Sequence, residues 1–211
     1  MTNQSSMLSG IFPCPVYIVK RDTNLSSKEE KEIGKIIEEG MQSNAGNSSS
    51  VNSYIFNGKL KNIKQFCEQQ IKQYVEQVIN PEEELDFHIT QSWLNITKPG
   101  ENHHSHFHSN SIISGVFYIF TEEDDKITFS DPNTKVKEII KLEPRGYNVW
   151  NSSIWFFPVK NNELILFPSW LHHQVDVRNE KAITNRISIS FNTFVRGTLG
   201  KRNNKTELIL K

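Results

Sequence analysis

The sequence has little cysteine, no excess of charge of either sign and no long apolar run. Only Cys14 and Cys67 occur among its 211 residues, too few for a disulfide framework, so a reducing compartment is expected. The 24 basic residues balance the 24 acidic ones, which gives no overall attraction to nucleic acid or to an anionic membrane. No stretch approaches the roughly 20 apolar residues that span a bilayer, and no secretion signal opens the chain. These absences predict a soluble protein of the cytoplasm and leave its oligomeric state open.

The apolar residues that are present suffice for one core. They make up 36% of the chain and include 13 phenylalanines and 4 tryptophans, which predicts a single domain over residues 1–211. From about residue 85 the apolar period is 2, and the predicted strands are 85–96, 112–120, 127–130, 154–159, 163–167, 171–177 and 186–195. The expected fold is α+β and mainly β, with an antiparallel sandwich or barrel core at about 85–196 and a short C-terminal tail.

The N-terminal part, about residues 20–80, has helical periodicity. Ser26 and Glu29 form a candidate capping box at the start of a first helix. In residues 60–79 the apolar side chains recur every three or four positions, which predicts a longer second helix. Both helices are expected to pack on one outer face of the strands. The polar segment 43–53 has no periodicity and is predicted to be a loop or flap.

Six of the seven histidines lie in two short clusters, residues 103–108 and 172–173. On a strand, His106 and His108 would project from the same face, so both imidazoles could reach one point. His173 from the distant cluster would complete three facial ligands on a divalent transition metal and leave positions open for substrate and oxygen. A lone histidine in a loop is ordinarily only solvated, but two clusters in these contexts favour a metal site.

The last predicted strand has one polar face. Alternation places Arg186, Ser188, Ser190 and Asn192 on that face, with isoleucine and phenylalanine on the other. An arginine inside a barrel beside a metal is a receptor for a carboxylate, because its planar guanidinium offers two parallel charge-assisted hydrogen bonds. The alternative is an arginine on the solvated face of an edge strand.

Six stretches, in this order and over nearly the whole chain, carry a family resemblance. They are IFPCPVY (11–17), SWLN (92–95), Gly100 with HFHSNS (106–111), SGVFY (114–118), LILFPSWLHHQV (164–175) and RISISFN (186–192). The chain resembles the 2-oxoglutarate/iron(II) oxygenases of the prolyl-hydroxylase-like superfamily, particularly a small group found in phages and bacteria.

This resemblance implies a double-stranded β-helix, or jelly roll, with iron(II) at one mouth. It also implies an oxidoreductase, a dioxygenase that takes 2-oxoglutarate, O2 and an unidentified primary substrate, hydroxylates a C–H bond, and releases succinate and carbon dioxide. Ascorbate is a candidate reductant, and the cytoplasm could be that of an infected bacterial host.

Matching positions assign roles to individual residues. The resemblance makes His106 the proximal metal ligand, His173 the distal ligand and Arg186 the anchor of the cosubstrate carboxylate. Further candidates for hydrogen bonds to 2-oxoglutarate are Asn95, Tyr118, Ser188 and Asn192.

The chain departs from the wider superfamily at the second ligand. His108 stands where the superfamily has aspartate or glutamate, which changes the set to three histidines, a set that zinc would also accept. Alternatively, His108 lies behind the ligands and Asp131 or Asp176 supplies an oxygen. His172 could compete with His173, although the spacing of the motif favours His173.

The sequence also offers further site residues and two alternative functions. His103 and His104 are expected at the rim of the site, and candidate aromatic walls are Phe107, Phe117, Trp155 and Trp170. The chain could instead be a cupin-type three-histidine dioxygenase that does not use 2-oxoglutarate. It could also be a noncatalytic metal-binding or virion-associated module.

Overall fold

Helices come first along the chain and strands dominate the rest. The computed structural model describes residues 7–133 and 143–209. The helices are α1 (Ser27–Glu38) and α2 (Lys61–Tyr74), and a π-helical turn, Val75–Ile79, continues α2. The strands are β1 (Tyr17–Lys20), β2 (Met41–Asn44), β3 (Asn47–Ser50), β4 (Asp86–Thr97), β5 (His103–His106), β6 (Ile113–Phe120), β7 (Lys126–Ser130), β8 (Ile154–Pro158), β9 (Glu163–Pro168), β10 (His173–Val175), β11 (Arg186–Leu199) and β12 (Thr206–Leu208). Across these two ranges, no helix is both long and apolar enough to cross a membrane.

The capping box at the start of α1 is confirmed. The backbone N–H of Ser26 donates to a Glu29 carboxylate oxygen at 2.8 Å, and the Ser26 hydroxyl accepts from the Glu29 N–H at 3.3 Å. Arg21 donates to the same carboxylate at 2.8 Å. Burial alone would raise the pKa of Glu29, but these hydrogen bonds and the charge of Arg21 lower it overall. The helix ends at Glu38, and Gly40, just after the C-cap residue Glu39, has a φ of +127° that suits glycine.

Both helices contribute residues to one core cluster with the larger sheet. Ile63, Cys67, Ile71 and Tyr74 of α2 are buried at helical spacing, which gives the helix one apolar face. They belong to one core cluster with residues of α1 and with sheet residues Leu94, Ile113, Phe117, Ile119, Leu164, Leu166, Ile189 and Phe191. Burial of this face holds both helices against the strands.

Two antiparallel sheets form the jelly roll. The larger sheet has the order β1-β9-β6-β11-β4-β3-β2, with β12 paired to β11, and the smaller has the order β5-β10-β7-β8. A second core cluster lies between them and joins Val116, Tyr118, Ile165 and Phe167 of the larger sheet to Ile127 and Phe129 of the smaller. Tyr118 therefore faces the other sheet, whereas its neighbour Phe117 faces the helices.

The predicted loop at 43–53 is wrong in its larger part. Strands β2 and β3 form a hairpin whose turn residues, Ala45 and Gly46, both have positive φ, as a tight hairpin turn requires. Strand β3 then pairs with β4 and extends the larger sheet. The hairpin could not be predicted from the sequence, because the buried positions of β3 are asparagine and serine. No alternation of apolar and polar residues therefore marks this strand. Strands β1, β5 and β12 were also absent from the predicted set.

Candidate metal centre

Three histidines converge at one end of the space between the sheets. His106 ends β5 and pairs directly with His173 at the start of β10. His108 lies two residues beyond β5, and its backbone N–H donates to the Ser169 carbonyl at 2.9 Å. One ring nitrogen from each of the three lies within 4.8 Å of the others. The predicted convergence is present, but a turn fixed by Ser169, and not alternation on a strand, brings His108 to the group.

The backbone fixes the ring nitrogen that is free to bind a metal. Nδ1 of His106 lies 2.8 Å from the carbonyl oxygen of His104, and Nδ1 of His173 lies 3.1 Å from that of Leu171. Because a carbonyl oxygen only accepts, each Nδ1 carries the proton and each Nε2 keeps its lone pair. Such contacts behind a ligand orient the ring and increase the basicity of the ligating nitrogen.

All three imidazoles are held in the neutral form. Burial lowers the pKa of His106, lowers that of His108 to about 4 and lowers that of His173 well below its usual range. The neighbouring imidazoles oppose protonation further. Neutral imidazole is the form that ligates, so no proton has to leave these rings when a metal binds near neutral pH.

No carboxylate belongs to this group among the residues that the structure describes. Asp176 accepts hydrogen bonds from Thr128 at 2.9 Å and Gln174 at 2.7 Å, and its carboxylate lies 3.2 Å from the ammonium of Lys126. Asp131 is likewise outside the group. The donor set is three neutral nitrogens, which fits a divalent iron or zinc ion that keeps open positions.

Arg186 is a buried cation on the wall of the same cavity, with only 3% of its surface exposed. Its guanidinium donates to the Lys126 carbonyl at 3.0 Å and to the Tyr118 hydroxyl oxygen at 3.4 Å. Within residues 7–133 and 143–209, no carboxylate forms an ion pair with it. Removing an unpaired charge from water is costly, so this position is suited to an anionic ligand.

Tyr118 lies beside Arg186 and is fully buried. Burial raises the pKa of its phenol to about 12, so the hydroxyl stays protonated. Because its oxygen accepts from the guanidinium, the phenol hydrogen remains available as a donor. Together the two side chains can hold a carboxylate from one side.

The cavity brings together most of the residues predicted to contact the cosubstrate. Its lining includes Asn95, Tyr118, Arg186 and Ser188 with the three histidines, but it does not include Asn192. The Asn192 side chain instead accepts from Ser114 at 3.2 Å and donates to Gln91 at 3.3 Å, farther along β11. The cavity has a volume of about 30 Å³, which is room for about two waters.

Three of the lining residues that were not among the predicted site residues lie on β3 and β4. Asn47 of β3, Trp93 and Thr97 also border the cavity. The Oδ1 atoms of Asn47 and Asn95 are buried without a hydrogen-bond partner in the described part of the chain. Buried polar atoms usually have partners, so this wall is suited to a polar ligand. Alternation along β4 places Trp93, Asn95 and Thr97 on one face, and this is the signal that could have identified two of them.

The four aromatic walls proposed from the sequence are wrong, because none of them lines the cavity, and Phe117 lies on the other side of the sheet. Its ring lies 6.0 Å from that of Phe66 in the helix-facing core, because Tyr118 takes the opposite face. Phe107, Trp155 and Trp170 are exposed and do not line the cavity. Trp93 lines the cavity instead, with its ring centroid 5.6 Å from that of His108.

The other three histidines of the two clusters lie outside the central group. His103 lines the cavity with its ring stacked on His106 at a centroid distance of 4.3 Å, whereas His104 is exposed. His172 is exposed and its ring lies 5.0 Å from that of Phe107. His173, and not His172, therefore belongs to the central group.

Comparison with known proteins agrees with this arrangement. Residues 91–192 match the model of a protein family described as "Putative 2OG-Fe(II) oxygenase". No curated protein matches the chain at a significant level.

Solved structures share the fold. An oxidoreductase of the 2OG-Fe(II) oxygenase family from Burkholderia pseudomallei is similar at a TM-score of 0.56 and 8% identity, over 84% of this chain and 83% of that one. HygX from Streptomyces hygroscopicus, solved with nickel and 2-oxoglutarate bound, has a TM-score of 0.56 and 8% identity over 85% and 82% of the two chains. A prolyl-4-hydroxylase from Pseudomonas putida has a TM-score of 0.53 and 14% identity over 85% and 93%. Residues 91–192 therefore resemble this oxygenase family, and the solved structures show that the chain shares its jelly-roll fold.

Proposed function

We propose that the protein is an oxygenase that uses iron(II), 2-oxoglutarate and O2 to hydroxylate a C–H bond of an unidentified primary substrate, releasing succinate and carbon dioxide. The observation that supports this most is the buried guanidinium of Arg186, which has no carboxylate partner among the described residues. It lines the same cavity as three converging neutral imidazoles. A metal and an anion are thus expected side by side, which is what a chelating dicarboxylate requires.

Each side chain has a defined task in this proposal. His106, His108 and His173 hold the metal through nitrogens that their backbone contacts or burial keep unprotonated. Arg186 binds the far carboxylate of 2-oxoglutarate with two charge-assisted hydrogen bonds, and Tyr118 donates a third. The bound metal and cosubstrate supply the activation of O2 that is coupled to decarboxylation. The buried jelly-roll interior excludes water from that reaction.

Charge balance is consistent with a set of three histidines. Neutral imidazoles leave the divalent metal with its full charge, whereas a carboxylate ligand would have removed one unit. The two negative charges of 2-oxoglutarate would lie at the metal and at Arg186, so each cation has an anionic neighbour. Ser188 and Asn95 supply further polar contacts on the same wall.

The first test is an anaerobic titration of the protein with iron(II) and 2-oxoglutarate. We expect a visible absorption band from the chelate and, under air with ascorbate, succinate formation. Arg186→Gln should raise the 2-oxoglutarate concentration for half-saturation by about 10- to 100-fold, since hydrogen bonds to charged groups contribute about 1.5–3 kcal/mol. The matched control is Arg196→Gln on the same strand, whose side chain is 53% exposed and pairs with Asp86 at the surface. Absence of the band in the wild type would contradict the proposal.

A second candidate function is a cupin-type dioxygenase that uses three histidines and no 2-oxoglutarate. It is favoured by the absence of a carboxylate from the ligand group in the described ranges. In that case metal-dependent O2 consumption would form no succinate and would survive Arg186→Gln. A noncatalytic metal-binding module would instead bind the metal without the chelate band and without O2 consumption.

We also propose the cytoplasm as the location, including that of a bacterial host. Cys14 and Cys67 are both free, and burial raises the pKa of the Cys67 thiol, which keeps it protonated and unreactive. A reducing compartment with a supply of 2-oxoglutarate fits both the thiols and the proposed reaction.

A further inference from the structure

A second group of histidines lies at the mouth of the cavity. One ring nitrogen from each of His103, His104 and His106 lies within 4.8 Å of the others. The ring centroids are 5.2 Å apart for His103 and His104, 4.3 Å for His103 and His106, and 5.1 Å for His104 and His106. Three imidazoles at this spacing are a suitable donor set for a borderline divalent metal such as zinc, nickel or cobalt.

A paired strand holds this outer group in place. All three residues belong to β5, which pairs with β10 through His103 and Val175 and through His106 and His173. Nε2 of His103 also lies 3.5 Å from the amide nitrogen of Asn44, at the end of β2. The outer ligands are therefore positioned by a paired strand and not by a free loop.

Exposure decreases steadily from the outer group to the inner one. His104 is exposed, His103 and His106 are half-buried, and His173 is only 6% exposed. A metal from solution meets His104 before it can reach His173. His106 belongs to both groups and links them.

The shared histidine can serve only one metal at a time. Its Nδ1 donates to the His104 carbonyl at 2.8 Å, so Nε2 is the only nitrogen left for a ligand bond. An ion with three outer ligands would therefore take His106 away from the inner group. The two sites therefore compete for one nitrogen, so an ion bound at one site can pass to the other through it.

We propose that His103, His104 and His106 form a second divalent-metal site at the cavity mouth, which receives the ion from solution and exchanges it with the inner site through His106. The proposal rests on the proposed function only for the identity of the inner site. When zinc or nickel is in excess, occupancy of the outer site should inhibit turnover, because the inner metal loses a ligand and the mouth is blocked.

The test uses cobalt(II) as the probe, with binding measured by its visible spectrum and by metal analysis after gel filtration. His173→Ala removes the buried inner ligand, and we expect this variant still to bind one equivalent of cobalt. Adding His104→Ala should weaken cobalt binding by at least about tenfold, whereas adding His88→Ala should not, since His88 lies in neither group. If far-UV circular dichroism shows that His173→Ala does not fold, His108→Ala takes its place.

Two outcomes would overturn the second site. One is no cobalt binding by the His173→Ala variant, and the other is equal binding by that variant and by His104→Ala/His173→Ala, which would leave His104 without a role. The iron(II)–2-oxoglutarate band of the wild type is independent of both results. Failure of the proposed function and failure of the second site are therefore distinguishable.

Discussion

Asp125 and Arg178 form a buried ion pair whose loss should destabilise the protein strongly. The guanidinium donates to both carboxylate oxygens, at 2.7 and 3.1 Å, and the two side chains are only 5% and 3% exposed. Arg178 also donates to the carbonyls of Thr97 and Thr184, at 2.9 Å each. It thus ties the end of β4 to the turn before β7 and to the segment that leads into β11.

We expect Asp125→Ala to lower the free energy of unfolding by about 3–5 kcal/mol, because it leaves a buried guanidinium without its counter-ion. With a urea m-value of about 2 kcal/mol/M, the midpoint should fall by about 1.5–2.5 M. A typical domain has a total stability of only about 5–15 kcal/mol, so the variant would retain a small margin.

The assay is urea unfolding followed by tryptophan fluorescence, on metal-free protein in a chelator so that bound metal does not add stability. Arg196→Gln is the control, because it breaks an exposed pair with Asp86 that should contribute about 0–1 kcal/mol. If Asp125→Ala shifts the midpoint no more than Arg196→Gln does, the reasoning from burial is refuted.

Three further variants test the fold and the site. Glu29→Gln should lower the free energy of unfolding by about 1–2 kcal/mol at pH 7, because it removes the charge that pairs with Arg21 although glutamine can keep the capping box. Because folding lowers the pKa of Glu29, the difference should be full above about pH 4.3 and vanish as pH falls through the folded-state pKa, as acid titrations of both proteins would show. Gly115→Ala should cost about 1–3 kcal/mol in urea unfolding, since its Cβ would overlap the buried ring of Phe191. Tyr118→Phe should raise the dissociation constant of 2-oxoglutarate about 3- to 10-fold in the chelate titration, through loss of one hydrogen bond, with metal stoichiometry unchanged.

Each of these three predictions would be contradicted by a specific result. For Glu29→Gln it is a stability difference that persists unchanged to pH 2, and for Tyr118→Phe it is an unaltered dissociation constant. Gly34→Ala in α1 is the control for Gly115→Ala, because nothing lies within 4 Å of its added Cβ and alanine favours the helix by about 1 kcal/mol. Equal effects of the two alanines would exclude the overlap with Phe191 as the cause.

The parts of the site that lie on regular strands could be predicted from the sequence. Alternation along β11 correctly placed Arg186 and Ser188 on an inner face, and the two histidine clusters correctly indicated that His106 and His173 meet. A one-residue error in such a pattern moves a side chain to the opposite face, and Phe117 was misplaced next to Tyr118 for this reason.

Other features depend on pairings that no local pattern records. Asn47 borders the cavity because β3 pairs with β4, a contact between segments far apart in the chain. Asp125 and Arg178 lie 53 residues apart and meet only in the folded protein. His108 reaches its partners through one backbone hydrogen bond to Ser169, which depends on the path of a turn. Long-range geometry of this kind is set by packing and not by periodicity.

The cavity extends beyond the residues that the family model matches, because the β2–β3 hairpin forms part of its wall. Asn47 precedes the matched residues 91–192, yet its amide donates to the Thr97 hydroxyl at 3.3 Å inside the pocket wall. A shortened chain that began near residue 85 would keep the three central histidines and Arg186 but would lose that wall and uncover one edge of β4. Unpaired strand edges promote association between molecules, so such a fragment should aggregate. The smallest useful unit for study therefore has to begin ahead of Met41.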